Sequence, residues 1–216
     1  MKQAAQEAGI ATQVAVGNHA SEDTRRLCEW VWAGVIGDVT EVHNWSRRPF
    51  WPQGIARPSE AMLIPYGLNW DLWLGPSPER PYHKIYQPFV WRGWLDFGAG
   101  AIGDMGSYSF DTIARVLKLG YPESVEGSRS SEYVVRDEAT ELFLSTETYP
   151  RASLIHFHFP AREGMSPVDV HWYDGGLMPV RPPELGQGKE LSEEGLLFVG
   201  SKGKILCGFN GRNPRL

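Results

Sequence analysis

The most constraining feature of this chain is a change of period near residue 120. Ala101 to Leu119 repeats with helical spacing: Phe110, Ile113 and Leu117 form an apolar stripe, and Asp104, Tyr108 and Asp111 fall at i, i+4 and i+7 on a separate polar face. Gly120 and Pro122 are expected to stop this helix. Beyond it the pattern is that of strands, at Ser124–Val135, Ala139–Thr148, Ala152–Phe159, Val168–Trp172, Leu196–Val199 and Lys204–Cys207. The short connections Tyr149-Pro150-Arg151 and Gly200 to Gly203 imply antiparallel pairing. Helices followed by strands predict an α+β fold, with one large, open, mostly antiparallel sheet and helices on one face.

The part before this helix is less regular. Lys2 to Ala8 reads as a helix closed by Gly9, and Thr12 to Val16 as a short strand that turns at Gly17-Asn18-His19. Ser21 caps a second helix, with Glu22 and Asp23 in its first turn and Leu27, Trp30 and Val31 on one face. Val39 to Trp45 alternates as a strand. Residues 48–100 are rich in Pro, Gly and Trp, with a short helical turn expected at Asn69 to Leu74. Ordinary connections run about 4–6 residues, so a segment this long covers something or carries function. Eight of the nine tryptophans lie between Trp30 and Trp94. Indoles stack on sugar and cofactor rings, but packing an irregular segment accounts for most of them equally well.

Composition narrows the partners. Of the 216 residues, 42% are hydrophobic and 22% charged, enough apolar content for a real core. The formal net charge is −5 with no basic stripe, which argues against nucleic acid. No apolar run reaches the ~20 residues that span a bilayer. No secretory leader opens the chain, so the cytoplasm is the default compartment. Cys28 and Cys207 read as small buried hydrophobes rather than a disulfide framework.

Gly98, Gly100 and Gly103 spell G-x-G-x-x-G, with Glu123 about 20 residues on. A dinucleotide fingerprint needs a buried parallel strand before it, and Trp91 to Phe97 does not read as one. The glycines are better explained as an entry to a helix whose backbone closely approaches a neighbour. A second candidate is His156, His158, Asp169 and His171 on two strands, which would need strand register to meet as a metal site. Packed or hydrogen-bonded histidines are the plainer reading, and no metal is assigned.

Several motifs in order carry a resemblance to a known family. They are Asn69-Trp70-Asp71-Leu72-Trp73-Leu74-Gly75-Pro76, Trp91-Arg92 with the glycine-rich stretch, Gly103-Asp104-Met105-Gly106-Ser107-Tyr108 with Phe110-Asp111, and Leu197-Phe198-Val199-Gly200-Ser201-Lys202-Gly203. Together they resemble the Gfo/Idh/MocA oxidoreductases, in the bacterial subgroup with a long Trp-rich insertion. The resemblance implies that residues 1–18 are the last helix and strand of a Rossmann domain. Residues 19–216 would be the α+β substrate-binding and oligomerisation domain, incomplete at its C-terminus. On the order of 120 residues, one nucleotide-binding domain, would precede Met1. With them would lie the usual fingerprint, a catalytic lysine and any secretion signal.

Carried over residue by residue, Asp104 matches the family's active-site aspartate. Tyr108 stands where the family usually has histidine. Imidazole titrates near neutrality and suits proton transfer, whereas a phenol with a reference pKa of ~10 mainly orients a hydroxyl. The resemblance further assigns Trp91, Arg92 and Asn18 to the cofactor side, and His19 and Asp111 to the substrate side. The implied activity is hydride transfer between a sugar, polyol or related carbinol and NAD or NADP. The isolated chain is expected to be inactive and to bind neither cofactor tightly. A redox-assisted glycoside hydrolase or lyase is one alternative, and a non-catalytic binding or assembly module is another. The open sheet face implies a homo-oligomer.

Overall fold

A computed structural model describes residues 2–13, 15–136, 139–162 and 164–216. The chain opens with helix α1 (Lys2–Glu7), followed by α2 (Glu22–Trp32) and strand β1 (Val39–Trp45). A long segment holding only α3 (Trp70–Leu74) and two 3-10 turns leads to the main helix, α4 (Gly100–Leu117). The strands follow: β2 (Ser124–Arg129), β3 (Glu132–Arg136), β4 (Ala139–Phe143), β5 (Ser153–Phe159), β6 (Val168–Tyr173), β7 (Gly195–Gly200) and β8 (Lys204–Cys207).

The main sheet has six strands in the order β2-β5-β6-β1-β7-β8. Among the described residues only β1 and β6 run parallel in this sheet, and its other pairs are antiparallel. This is the expected α+β architecture. Strand alternation sends Val42, Val168, Val170, Leu196, Phe198 and Ile205 to one face, where they pack on Leu27, Cys28 and Val31 of α2 and Ile113, Val116 and Leu117 of α4. Asn44 Nδ2, fully buried, donates to Ser109 Oγ at 2.7 Å and pins α4 to the sheet. Cys28 and Cys207 are buried free thiols.

Ser21 caps α2 as expected, accepting from Thr24 N at 3.1 Å. Asn69 caps α3 by accepting from Leu72 N. Four expectations need correction. Residues 12, 13, 15 and 16 are irregular and belong to neither sheet, and Val14 lies outside the described residues. An extended segment without a ladder has nothing to hold it as a strand. Helix α4 ends at Leu117 rather than near Gly120. Lys118 takes the left-handed conformation (φ 50°), and Leu119 N bonds Ala114 O, closing the helix early.

Ser124 to Val135 is not one strand. The chain leaves the main sheet after Arg129, held by Ser130 N donating to Ala152 O and Ala152 N donating to Ser130 Oγ. It then forms a separate two-stranded ribbon of β3 and β4. The strand expected to reach Thr148 stops at Phe143, because Ser145 Oγ accepts from Glu147 N and Thr148 N and turns the backbone. Tyr149-Pro150-Arg151 therefore connects two different sheets.

The Trp-rich segment builds a second core of Trp70, Leu74, Tyr82, Tyr86 and Trp94. Trp70 stacks on Trp73 at 4.9 Å, and Trp94 Nε1 donates to Ile85 O. Most of these indoles are packing residues, held by edge and stacked contacts.

Candidate functional site

Helix α4 is the spine of the site. Its buried face lies on the sheet, and its polar face presents Asp104, Tyr108 and Asp111 along roughly two turns. The preceding glycines exist for close approach. A Cβ on Gly98 would sit 2.4 Å from Arg92 O, and one on Gly100 (φ 66°) would meet the Tyr149 ring at 2.7 Å. Tyr149 Oη in turn donates to Gly98 O at 3.1 Å. These contacts press the 3-10 turn Val90–Gly93 against the start of α4. No strand precedes the glycines: residues 91–97 hold a 3-10 turn and a single bridge from Trp94 to Thr148.

That packing brings Arg92 to Asp104. Arg92 Nε donates to Asp104 Oδ1 at 2.8 Å, and Arg92 Nη1 donates to Phe89 O at 3.0 Å. The guanidinium also lies 4.5 Å from the ring centres of both Phe89 and Trp91. A planar cation between two rings and a carboxylate is held in one orientation. Tyr108, one turn beyond Asp104, is 46% exposed and faces the same open cleft.

The cleft has a volume of about 440 Å³. Arg92, Asp104, Met105 and Tyr108 form one wall, and Arg48, Trp51, Phe89, Glu194, Phe209 and Asn210 complete it. Arg48 Nη1 donates to Glu194 Oε1, so each arginine of the cleft is matched by a carboxylate. Aromatic edges with paired polar groups suit a ligand having both apolar faces and hydroxyls.

The other expected residues are placed as follows. His19 Nδ1 lies 3.0 Å from Asp111 Oδ1, and Arg115 Nη1 donates to His19 O. This group sits two turns along α4 from the Arg92–Asp104 pair, with Tyr108 between them. Asn18 is buried, and its carbonyl accepts from Thr24 Oγ1 and Ser21 N, each at 3.0 Å, which organises the start of α2. Trp91 turns to the far side of its turn, into a second depression with Trp73, Pro76 and Phe97. No sequence pattern marks the wall made by Arg48, Trp51, Glu194 and Asn210. These residues come from irregular loops whose proximity no periodicity encodes.

Among the described residues, no strand–glycine turn–helix unit could cradle a dinucleotide pyrophosphate, because Gly98 faces the Arg92 carbonyl instead. Among the described residues no helix is long and apolar enough to cross a membrane.

Residues 26–128 match the family model of the Gfo/Idh/MocA oxidoreductase family, C-terminal alpha/beta domain. No match was found among curated proteins. Solved structures match over nearly the whole chain. A super-repressor mutant of Gal80p from Saccharomyces cerevisiae aligns with a TM-score of 0.52 and 13% identity, covering 97% of this chain and 44% of that one. An NAD binding oxidoreductase from Klebsiella pneumoniae aligns with a TM-score of 0.51 and 16% identity, covering 96% and 43%. The WlbA dehydrogenase from Bordetella pertussis, in complex with NADH and UDP-GlcNAcA, aligns with a TM-score of 0.52 and 15% identity, covering 99% and 48%. The chain thus spans less than half the length of each of these structures. At such identities these likenesses establish the fold. Residues 26–128 are thus similar to the C-terminal alpha/beta domain of the Gfo/Idh/MocA oxidoreductase family, and the chain shares its fold with these solved structures.

Proposed function

We propose that residues 19–216 form the substrate-side wall of a nicotinamide-dependent oxidoreductase acting on a sugar, polyol or related carbinol. The observation that carries this reading is the Arg92–Asp104 pair on the wall of an aromatic-edged cleft, with Tyr108 exposed one turn away. In this reading Asp104 accepts a hydrogen bond from a substrate hydroxyl, and Tyr108 orients a second one. Arg92 and Trp91 border the cofactor side, while Asn18 supports the turn that positions His19. His19 and Asp111 extend the substrate wall. A Cβ-free Gly98 packs on the Arg92 carbonyl and leaves no room there for a pyrophosphate, so in this reading the chain's part is binding and orientation of the substrate.

A second reading, a non-catalytic binding module, draws on the fold it shares with Gal80p, described as a transcriptional regulator in Kluyveromyces. Tyrosine at position 108 also favours it, since a phenol is a weaker base than imidazole at neutral pH. Calorimetric titration of the chain with NADH, polyols and nucleotide sugars tests the proposal. The expected result is no heat with NADH and weak binding of a hydroxyl-rich ligand that Asp104→Ala abolishes. Tight NADH binding, or ligand binding indifferent to Asp104, would contradict it.

A further inference from the structure

The sheet face turned away from α2 and α4 carries two adjacent rows of side chains suited to metal binding. Strand register pairs Glu126 with His156, His156 with His171, and His171 with His43, across β2, β5, β6 and β1. The next row pairs Ser124 with His158, His158 with Asp169, and Asp169 with Glu41. Members of the two rows are two residues apart on each strand, so both rows share one face. The opposite face takes Val42, Phe157 and Val170 into or against the core. The register that a shared histidine site would require is therefore the register observed.

Within the rows, two pairs converge, and one of them joins two imidazoles. His156 Nδ1 and His171 Nδ1 stand 2.5 Å apart. One neutral imidazole can donate its Nδ1–H to the other, and a cation accepting both Nδ1 lone pairs would occupy the same gap. The neighbours hold the pair in place. His43 stacks on His171 with ring centres 5.1 Å apart, and its Nδ1 is engaged by Tyr173 Oη at 3.0 Å. His158 Nδ1 is taken separately by Asp169 Oδ1 at 2.6 Å.

We propose that His156 and His171 form a cross-strand two-imidazole site for a divalent transition-metal ion such as Zn²⁺, bound through both Nδ1 atoms. Imidazole is a favoured ligand for ions of this class. Zn–N bonds of about 2.0–2.1 Å at a tetrahedral angle place the two nitrogens roughly 3.3 Å apart. The rings need to separate by less than about 1 Å, a small adjustment for side chains on an outer sheet face. Among the described residues no three His, Cys, Asp or Glu side chains are arranged to hold an ion. The pair thus supplies two donors and water fills the remaining positions. Glu126, opposite His156, adds negative charge beside the site.

The test is calorimetric titration of the untagged chain with Zn²⁺. One ion per chain is expected. His156→Gln and His171→Gln should each weaken binding at least about tenfold, while His158→Gln changes it by less than about twofold. Absence of binding by the wild type, or equal weakening in all three variants, would overturn the site. A wild-type measurement guards against a misfolded variant. Co²⁺ should give a visible absorption that Zn²⁺ displaces, and its failure to appear would overturn the site too.

Discussion

Arg92 and Asp104 are 12 residues apart in sequence and joined by a 2.8 Å hydrogen bond between Nε and Oδ1. The bond ties the 3-10 turn before the glycines to the second turn of α4, and so sets the shape of the cleft. Both side chains are about three-quarters buried, so the pair is shielded more than a surface salt bridge. A double-mutant cycle with Arg92→Ala and Asp104→Ala should give a coupling of about 1 kcal/mol in chemical denaturation. Strictly additive losses would show that the pair does not couple the two segments.

The glycines before α4 serve close packing. Gly98→Ala should destabilise the chain by about 1–3 kcal/mol, because its Cβ meets the Arg92 backbone with no flexible side chain to yield. Gly120→Ala, where nothing lies within 4 Å, should change stability by less than about 0.5 kcal/mol. Equal effects in thermal unfolding would contradict this account of the motif.

Asp174 gives a pH dependence with a defined sign. It is buried and accepts from Ser153 N, Ser153 Oγ and Trp172 Nε1 at 2.6–2.7 Å. Burial raises its pKa, and these three donors offset only part of the rise. The folded chain therefore holds the proton more readily than the unfolded chain. Stability from this group rises as pH falls from neutrality through the raised folded pKa toward the ordinary carboxylate range, and levels off below it. The stability of the wild type relative to Asp174→Asn should grow over that descent. A shrinking difference would reverse the assignment.

The legible parts of the fold are those where period and burial agree. Strands β6 and β8 alternate in burial and β7 is a continuous buried apolar run, and the limits of these strands and of the body of α4 lie close to those the sequence pattern predicts. The departure of β3 and β4 was hidden because strand alternation looks the same in either sheet. What separates them is a pair of bonds between Ser130 and Ala152, 22 residues apart. Helix α4 ends before Gly120 because Lys118 takes a conformation usually left to glycine, which no sequence signal announces. Helical spacing puts Asp104, Tyr108 and Asp111 on one polar face of α4, while their roles in a site are what the family resemblance implies. Glu194 and Asn210 were not legible, since only the folded sheet brings their loops to the cleft.

The most direct test of the substrate-wall assignment is NMR mapping of isotope-labelled chain titrated with polyols and nucleotide sugars. The account predicts shift changes concentrated at Arg92, Asp104, Tyr108 and the loops carrying Arg48 and Asn210, and lost in Asp104→Ala. Changes confined to the cavity beside Gln53 and Glu132, below the β3–β4 ribbon, or no changes with any hydroxyl-rich ligand, would contradict it.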